Sequence, residues 1–175
     1  MATATMKANT MLEPMLGEFH EEAAVTRRIL ERVPADKLTW RPHPKSMTLG
    51  QLAIHIATVP GAIATLAQGD GLDVLQARFV PPQPTSVQEI HAALDDSVRT
   101  AEKVLSTMTD EEAQGSWTLK RGDKELFTQP RIGVLRSIML NHWYHHRGQL
   151  SVYLRLLDVS VPVVYGPTAD ENPFM

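Results

Sequence analysis

The sequence predicts a single all-α domain, organised as a four-helix bundle with long connections between the helices. Four stretches carry apolar residues at the 3.6-residue spacing of an amphipathic helix. A chain of 175 residues with 43% hydrophobic and 21% charged residues is typical of one globular domain with a buried core. We therefore expect one domain over residues 1–175, with non-helical termini at about residues 1–8 and 160–175.

The first long helix is expected from about Thr10 to Val33, because apolar side chains form one stripe over this stretch and Pro34 follows it. The next segment contains Trp40-Arg41-Pro42-His43-Pro44. Two prolines separated by one residue cannot continue a helix, so this connection is expected to be extended. Trp40 is expected to anchor it on the bundle.

Capping patterns mark the start of the second and third helices. Thr48 with Gln51 three residues later fits a capping box, and the apolar stripe that follows extends to about Leu66. Ser86 with Glu89 has the same spacing at the start of the third helix, which is expected to end near residue 109. Both helices are thus predicted from their first turn as well as from their periodicity.

Two connections are longer than ordinary turns. Residues 71–84, before the third helix, are expected to be irregular. Residues 115–129 carry two short apolar stretches on either side of Arg121-Gly122-Asp123-Lys124, which predicts a small hairpin or extended loop. Pro130 then suits the first position of the fourth helix, which is expected to run to about Leu157.

Composition excludes several classes of function. The formal net charge is −3 without a basic block, which argues against a nucleic-acid partner. No cysteine is present, so any metal ligands must be His, Asp or Glu. The first residues lack the apolar core of a signal peptide, and no apolar run is expected to reach the roughly 18–20 residues of a membrane span. We expect a cytoplasmic protein with no membrane partner.

The histidines are the candidate functional residues. His142 and His146 are four residues apart, which places both rings on one face of the fourth helix, one turn apart. His55 lies on the apolar stripe of the second helix. A lone core histidine is usually a hydrogen-bonded polar residue, but three imidazoles directed into one bundle interior favour a shared divalent metal ion.

For the other polar residues near these positions, the sequence gives weaker evidence of a functional role. His145 is expected at the flank of the fourth helix, about 100° from His146. His20, at the edge of the first helix stripe, is a weak catalytic candidate that could contact substrate or support the site. Arg147 and Gln149 are expected to hold structure or to orient a ligand imidazole. Further candidates for a general base on the first helix are Glu13, Glu18, Glu21 and Glu22.

Three segments resemble the DinB-like superfamily of metal-binding four-helix bundles. The run His142-Trp143-Tyr144-His145-His146-Arg147-Gly148-Gln149-Leu150 resembles the family signature in the fourth helix. Trp40-Arg41-Pro42, followed by Ser46-Met47-Thr48-Leu49-Gly50-Gln51-Leu52, resembles the approach to the histidine of the second helix. Tyr165-Gly166-Pro167-Thr168-Ala169-Asp170-Glu171 resembles the tail of one subgroup. The resemblance extends over about residues 10–170.

The resemblance implies a metal site made by His55, His142 and His146, with zinc or nickel as the leading divalent ions, and it implies a homodimer. Characterised relatives of this kind include thiol-dependent transferases and an isomerase that use low-molecular-weight thiols. The first hypothesis is therefore a metal-dependent enzyme that activates a thiol or water, as a thiol S-transferase or a hydrolase, on a small-molecule substrate. The alternatives are a non-catalytic stress-response protein that binds a metal or small ligand, and a bundle with structural histidines.

Overall fold

The computed structural model describes residues 11–77 and 80–175. The predicted start of the first helix at Thr10 and the expected non-helical residues 1–8 therefore lie outside the described residues. The helices are α1 (Glu13–Leu30), α2 (Leu49–Ala67), α3 (Val87–Thr107), α4 (Asp110–Gln114), α5 (Arg131–Val134) and α6 (Asn141–Leu156). The strands are β1 (Gly71–Asp73), β2 (Ser116–Arg121) and β3 (Lys124–Pro130). Residues 160–175 contain no helix or strand, as expected.

Four long helical segments surround one hydrophobic core. Helix α2 packs along α3 and against α6, and α1 also contacts α3 and α6. The close approach of α2 to α3 depends on Gly61, whose amide donates to Ser97 Oγ over 2.8 Å. A Cβ atom at residue 61 would lie 2.8 Å from Ser97 Cα, closer than packed atoms allow. The chain is thus mostly helical, and a small sheet covers part of it.

The predicted capping patterns are present. Thr48 Oγ1 accepts a hydrogen bond from the Gln51 amide over 3.1 Å, and the Gln51 side chain accepts from the Thr48 amide over 3.0 Å. Ser86 Oγ accepts from the Glu89 amide at the start of α3 over 3.3 Å. Trp40 packs edge-on against Tyr153 with 5.8 Å between ring centroids, which confirms that it anchors the connection between α1 and α2.

Helix α2 corrects one expectation from composition. Among the described residues it is the one helix that is long and apolar enough, by length and composition, to cross a membrane. Isolated Thr, Gln and His residues interrupt its apolar sequence, so the length of this 19-residue stretch without a charged side chain was not recognised from the sequence. Most of this helix is packed inside the protein, where it contacts α3, α6 and the sheet. Its apolar character therefore matches its position in the core.

The expected hairpin at 115–129 is present and belongs to a three-stranded sheet. Strands β2 and β3 are antiparallel, with Thr118 opposite Thr128, and Gly122 adopts φ +58° in the turn between them. Strand β1 pairs parallel to β2, with Leu72 opposite Leu119. The prediction that residues 71–84 are irregular was therefore wrong at β1. Three residues are too few to show alternation, and their partner lies far along the chain.

The fourth helical stretch differs from the single regular helix that was expected. It is helical from Arg131 to Leu156, but Leu135–Leu140 form a π-helical segment. Pro130 ends β3 and caps the helix instead of occupying its first turn. A π-helical segment accommodates an extra residue, so it shifts which side chains face the core afterwards. The fully buried positions of α6 are Trp143, Arg147, Leu150 and Leu154.

A single hydrogen bond sets the position of α6 along α2. Pro60 lies inside α2 and has no N–H, so the carbonyl of Ile56, four residues earlier, lacks its helical donor. The indole Nε1 of Trp143 donates to this carbonyl over 2.8 Å. Trp143 is fully buried and stacks on Phe19 of α1, with ring centroids 5.5 Å apart. The bond therefore ties α6 to a gap in α2 that a proline creates.

A double-mutant cycle tests this tie. Trp143→Phe removes the donor and leaves the Ile56 carbonyl unpaired in the core, so we expect it to lower the free energy of unfolding by about 1–3 kcal/mol. Pro60→Ala restores a backbone N–H in α2 for the same carbonyl. The cost of Trp143→Phe should then be smaller by about 1 kcal/mol in the Pro60→Ala background, as measured by urea denaturation. Equal costs in the two backgrounds would contradict this account.

Candidate metal centre

The three predicted histidines lie together. Nε2 of His142 is 2.6 Å from Nε2 of His146 and 3.4 Å from Nε2 of His55. One ring nitrogen from each residue lies within 4.8 Å of the others. Ligand nitrogens around a tetrahedral zinc ion are about 3.3 Å apart, because each Zn–N bond is about 2.0–2.1 Å long. The group could therefore hold a metal ion, although the chain positions of its members differ by up to 91 residues.

The fold explains this convergence through the neighbours of the histidines. His55 directly precedes Ile56, and His142 directly precedes Trp143. The hydrogen bond between Trp143 and the Ile56 carbonyl thus brings the two histidines to the same level of the protein. His146 follows one turn later on α6. All three side chains are half-buried at the edge of the core, whereas the sequence placed them fully within its apolar stripes.

Burial keeps the three rings neutral near pH 7. Burial is the main cause that lowers the pKa of His55 to about 4, and repulsion from His146 and His142 contributes to the same shift. Burial also lowers the pKa of His142 and is the main cause that lowers the pKa of His146. A neutral imidazole is the form that binds a divalent ion, so these residues are already in the protonation state that a metal requires.

Gln149 orients one of the three rings. Its side-chain oxygen accepts a hydrogen bond from Nδ1 of His146 over 2.8 Å, which leaves the lone pair of this ring on Nε2, facing the other histidines. The amide nitrogen of Gln149 donates to Nε2 of His145 over 3.0 Å. His145 is exposed and lies at the flank of α6, where the sequence placed it. It contacts the centre through Gln149 and His146.

Arg147 has a structural position on the opposite side of α6. Its side chain is 1% exposed and forms an ion pair with Glu22 of α1. It also donates to Thr26 Oγ1 over 3.0 Å and to the hydroxyl of Tyr165 in the C-terminal tail. The ring of Tyr165 lies 5.0 Å from the guanidinium carbon. Arg147 therefore joins α6, α1 and the tail, in agreement with the structural role expected for it.

The candidate bases on α1 are engaged elsewhere. His20 is half-exposed and contacts Glu102 on α3 at 3.4 Å, so the structure does not bring it into the histidine group. Glu18 accepts hydrogen bonds from Arg136 and from the hydroxyl of Tyr144, and the bonds to Arg136 hold its pKa below the usual range. Glu22 binds Arg147. Glu13 and Glu21 are exposed.

A cavity of about 560 Å³ opens beside His55 and His142. Its other walls come from α2, from the sheet and from the start of the fourth helical stretch. The described residues that line it include Thr58, Val59, Ala62, Ile63, Leu66, Leu72, Val74, Ala77, Val80, Pro81, Pro82, Trp117, Leu119, Val134 and Ile138. It was not predicted from the sequence that these residues line a cavity. The one available signal was that Trp117 and Leu119 alternate on one face of the predicted hairpin.

Substitutions of Gln149 test its role in orienting His146. Gln149→Leu removes the acceptor for Nδ1 of His146, so we expect zinc affinity to fall about 10–100-fold in a competition titration with a chromophoric chelator. Gln149→Glu keeps an oxygen acceptor at the same reach and should bind zinc at least as tightly as the original protein. Similar losses in both variants would show that Gln149 does not act through the ring of His146.

The neutral histidines also predict how stability depends on pH. The folded-state pKa of His55, about 4, lies below the value of about 6.5 for an unfolded chain. The contribution of neutral His55 to the free energy of unfolding is therefore fully present above about pH 6.5 and is lost as the pH falls toward about 4. We expect the Tm of the metal-free protein to fall over this window, and to fall less steeply in His55→Gln. Parallel pH profiles for the two proteins would contradict the assignment.

Comparison with known proteins agrees with this architecture. The DinB family model matches residues 5–172. The uncharacterised protein YrdA of Bacillus subtilis strain 168 is 26% identical over 160 residues, which cover 91% of each chain. A crystal structure of a DinB-like protein from Bacillus cereus ATCC 10987 has a TM-score of 0.68 and 25% identity, covering 90% of this chain and all of that one. The DinB-like protein YjoA of Bacillus subtilis has the same fold, with a TM-score of 0.66, 18% identity and coverage of 87% and 97%. The chain therefore belongs to the DinB family.

Proposed function

We propose that this protein is a metal-dependent enzyme that uses a three-histidine divalent metal site to activate a thiol or a water molecule. The observation that carries the proposal is the convergence of His55, His142 and His146 beside a cavity large enough for a small molecule. Three histidines leave a divalent ion an open position, which is typical of catalytic zinc sites. The reaction is then a thiol transfer or a hydrolysis on a small-molecule substrate.

Each residue of the centre has a defined part in this proposal. The three neutral imidazoles would hold the ion, and a ligand set of nitrogens without sulfur suits zinc or nickel. When bound, the ion supplies a positive charge that lowers the pKa of a water or thiol at the open position toward neutrality. Gln149 fixes the ring of His146 through its Nδ1 atom. The apolar walls of the cavity limit the access of water to a reacting group.

A second candidate function is a non-catalytic protein that binds a metal or a small ligand in a stress response. One observation favours it. Among the described residues that line the cavity there is no Asp, Glu or Lys, so this described lining offers no separate carboxylate or amine as a general base. Thr58 is the one hydroxyl-bearing side chain in that lining, and a neutral hydroxyl is a weak base.

Three further features belong to the same proposal: a four-helix bundle of the DinB type, a cytoplasmic location and a homodimer. What supports the bundle is that each of the four long helical segments contacts two others, as α1 does with α3 and α6. The location rests on composition, because a chain without cysteine suits a reducing cytoplasm. The dimer rests on the resemblance to the family. Sedimentation equilibrium of the purified protein would test the dimer directly.

Metal binding is tested by replacing one ligand and its neighbour in sequence. His146→Ala removes a ligand nitrogen, so we expect the protein to lose its bound zinc or nickel in elemental analysis while its helical circular dichroism persists. The matched control is His145→Ala, which removes an adjacent histidine that contacts Gln149 from the exposed side. It should retain about one ion per chain. Full metal occupancy in His146→Ala would refute the ligand assignment.

Turnover distinguishes the enzyme from the binding protein. The zinc- or nickel-loaded protein, the chelated protein and His146→Ala are incubated with a panel of thiols paired with electrophiles, and separately with ester and amide substrates. The enzyme proposal expects consumption of thiol or substrate in the loaded protein alone. Saturable binding without consumption across the panel would favour the second candidate.

A further inference from the structure

We propose that the cavity beside His55 and His142 binds an uncharged, mainly apolar small molecule, and that this molecule is the substrate or acceptor of the reaction. The role in a reaction rests on the proposed function, whereas the binding itself does not. The family resemblance implies low-molecular-weight thiols as reaction partners, whereas the described walls of this cavity suit an apolar molecule.

The described walls of the cavity are almost entirely hydrocarbon. Helix α2 contributes Val59, Ile63 and Leu66, and the sheet contributes Trp117 and Leu119. Prolines and aliphatic residues make up most of the remaining described lining, and none of the described lining residues is Asp, Glu, Lys or Arg. Such walls favour apolar ligand surface by about 25 cal/mol for each Å² removed from water.

The few polar groups at the wall do not change this preference. The hydroxyl of Thr58 donates to the Ile54 carbonyl over 2.9 Å, so its proton is engaged within α2. His55 and His142 form one end of the cavity, and no other described residue of the lining carries a charged side chain. A ligand with a carboxylate, sulfonate or phosphate in the apolar part would therefore lose its hydration without gaining a partner.

The position of the histidines sets the direction in which a ligand binds. His55 and His142 line the cavity, whereas His146 lies beside the exposed residues His145 and Gln149. An apolar molecule in the cavity thus points one end at the metal centre, and a polar reaction partner reaches the centre from the side of His146. A volume of about 560 Å³ fits one small molecule, within the range typical of ligand pockets.

Two fluorescent probes that differ by one charge test the proposal on the full chain after chelation. N-phenyl-1-naphthylamine is neutral, and 1-anilinonaphthalene-8-sulfonate is the same skeleton with one sulfonate. We expect saturable binding of the neutral probe at one site per chain, and at least about tenfold weaker binding of the sulfonate. Equal or tighter binding of the sulfonate, or no saturable binding of the neutral probe, would overturn the proposal.

A pair of lysine substitutions locates the probe. Leu119→Lys places a cation in the cavity wall, whereas Leu126→Lys places one on the neighbouring strand at an exposed position outside the cavity lining. We expect Leu119→Lys to weaken the neutral probe about tenfold and to tighten the sulfonate, and Leu126→Lys to change neither. Circular dichroism confirms that both variants fold. Identical effects of the two substitutions would place the probe elsewhere and overturn the proposal.

The outcome of the probe experiments is independent of the outcome of the metal-binding experiment. The probe experiments are carried out without metal, so loss of probe selectivity leaves the elemental analysis of His146→Ala unaffected. Conversely, a protein that selects the neutral probe but binds no zinc or nickel would retain the cavity assignment and lose the enzyme proposal.

Discussion

The hydrogen bond from the Trp143 indole to the Ile56 carbonyl is the constraint on which the candidate site depends. It exists because Pro60 removes one donor from α2, which leaves a buried carbonyl that must find another partner. Trp143 can supply this donor only when α6 lies at one level along α2. Since His55 precedes Ile56 and His142 precedes Trp143, the same level brings the two histidines together. A helix-breaking residue in the core thus acquires a positioning role.

On the side of α6 away from the histidines, a buried ion pair attaches this helix to its neighbours. The buried guanidinium of Arg147 is paired with Glu22 and bonded to Tyr165, so α6 is attached both to α1 and to the C-terminal tail. Burying an ion pair has a desolvation cost, and the attraction between the two charges offsets this cost only when their geometry is good. The contribution of the Arg147–Glu22 pair here is to fix the rotation of α6 about its own axis. With its height set by Trp143 and its rotation by Arg147, α6 presents His146 at a defined angle.

Local signals in the sequence predicted much of this structure, and the features that were missed lack such a signal. The caps at Thr48 and Ser86 depend on residues three positions away, so the pattern alone revealed them. The spacing of His142 and His146 was equally local. The parallel partner of β1 lies more than forty residues away, and the π-helical segment at Leu135–Leu140 has no simple sequence signature. Because this segment shifts which residues of α6 face the core, a regular 3.6-residue stripe did not identify Trp143 as buried.

The candidate metal centre and the cavity share His55 and His142, and the sheet adds a further wall to the cavity. All three histidines lie on long helices whose contacts set their geometry, whereas one wall of the cavity comes from the sheet, through residues such as Leu119. Side chains on the hairpin can therefore change the size and polarity of the cavity without moving a histidine. Loops and small sheets next to a rigid helical frame are where binding specificity commonly lies. In this chain, a substitution at Leu119 is therefore expected to change which molecule the cavity accepts and to leave the three histidines in place.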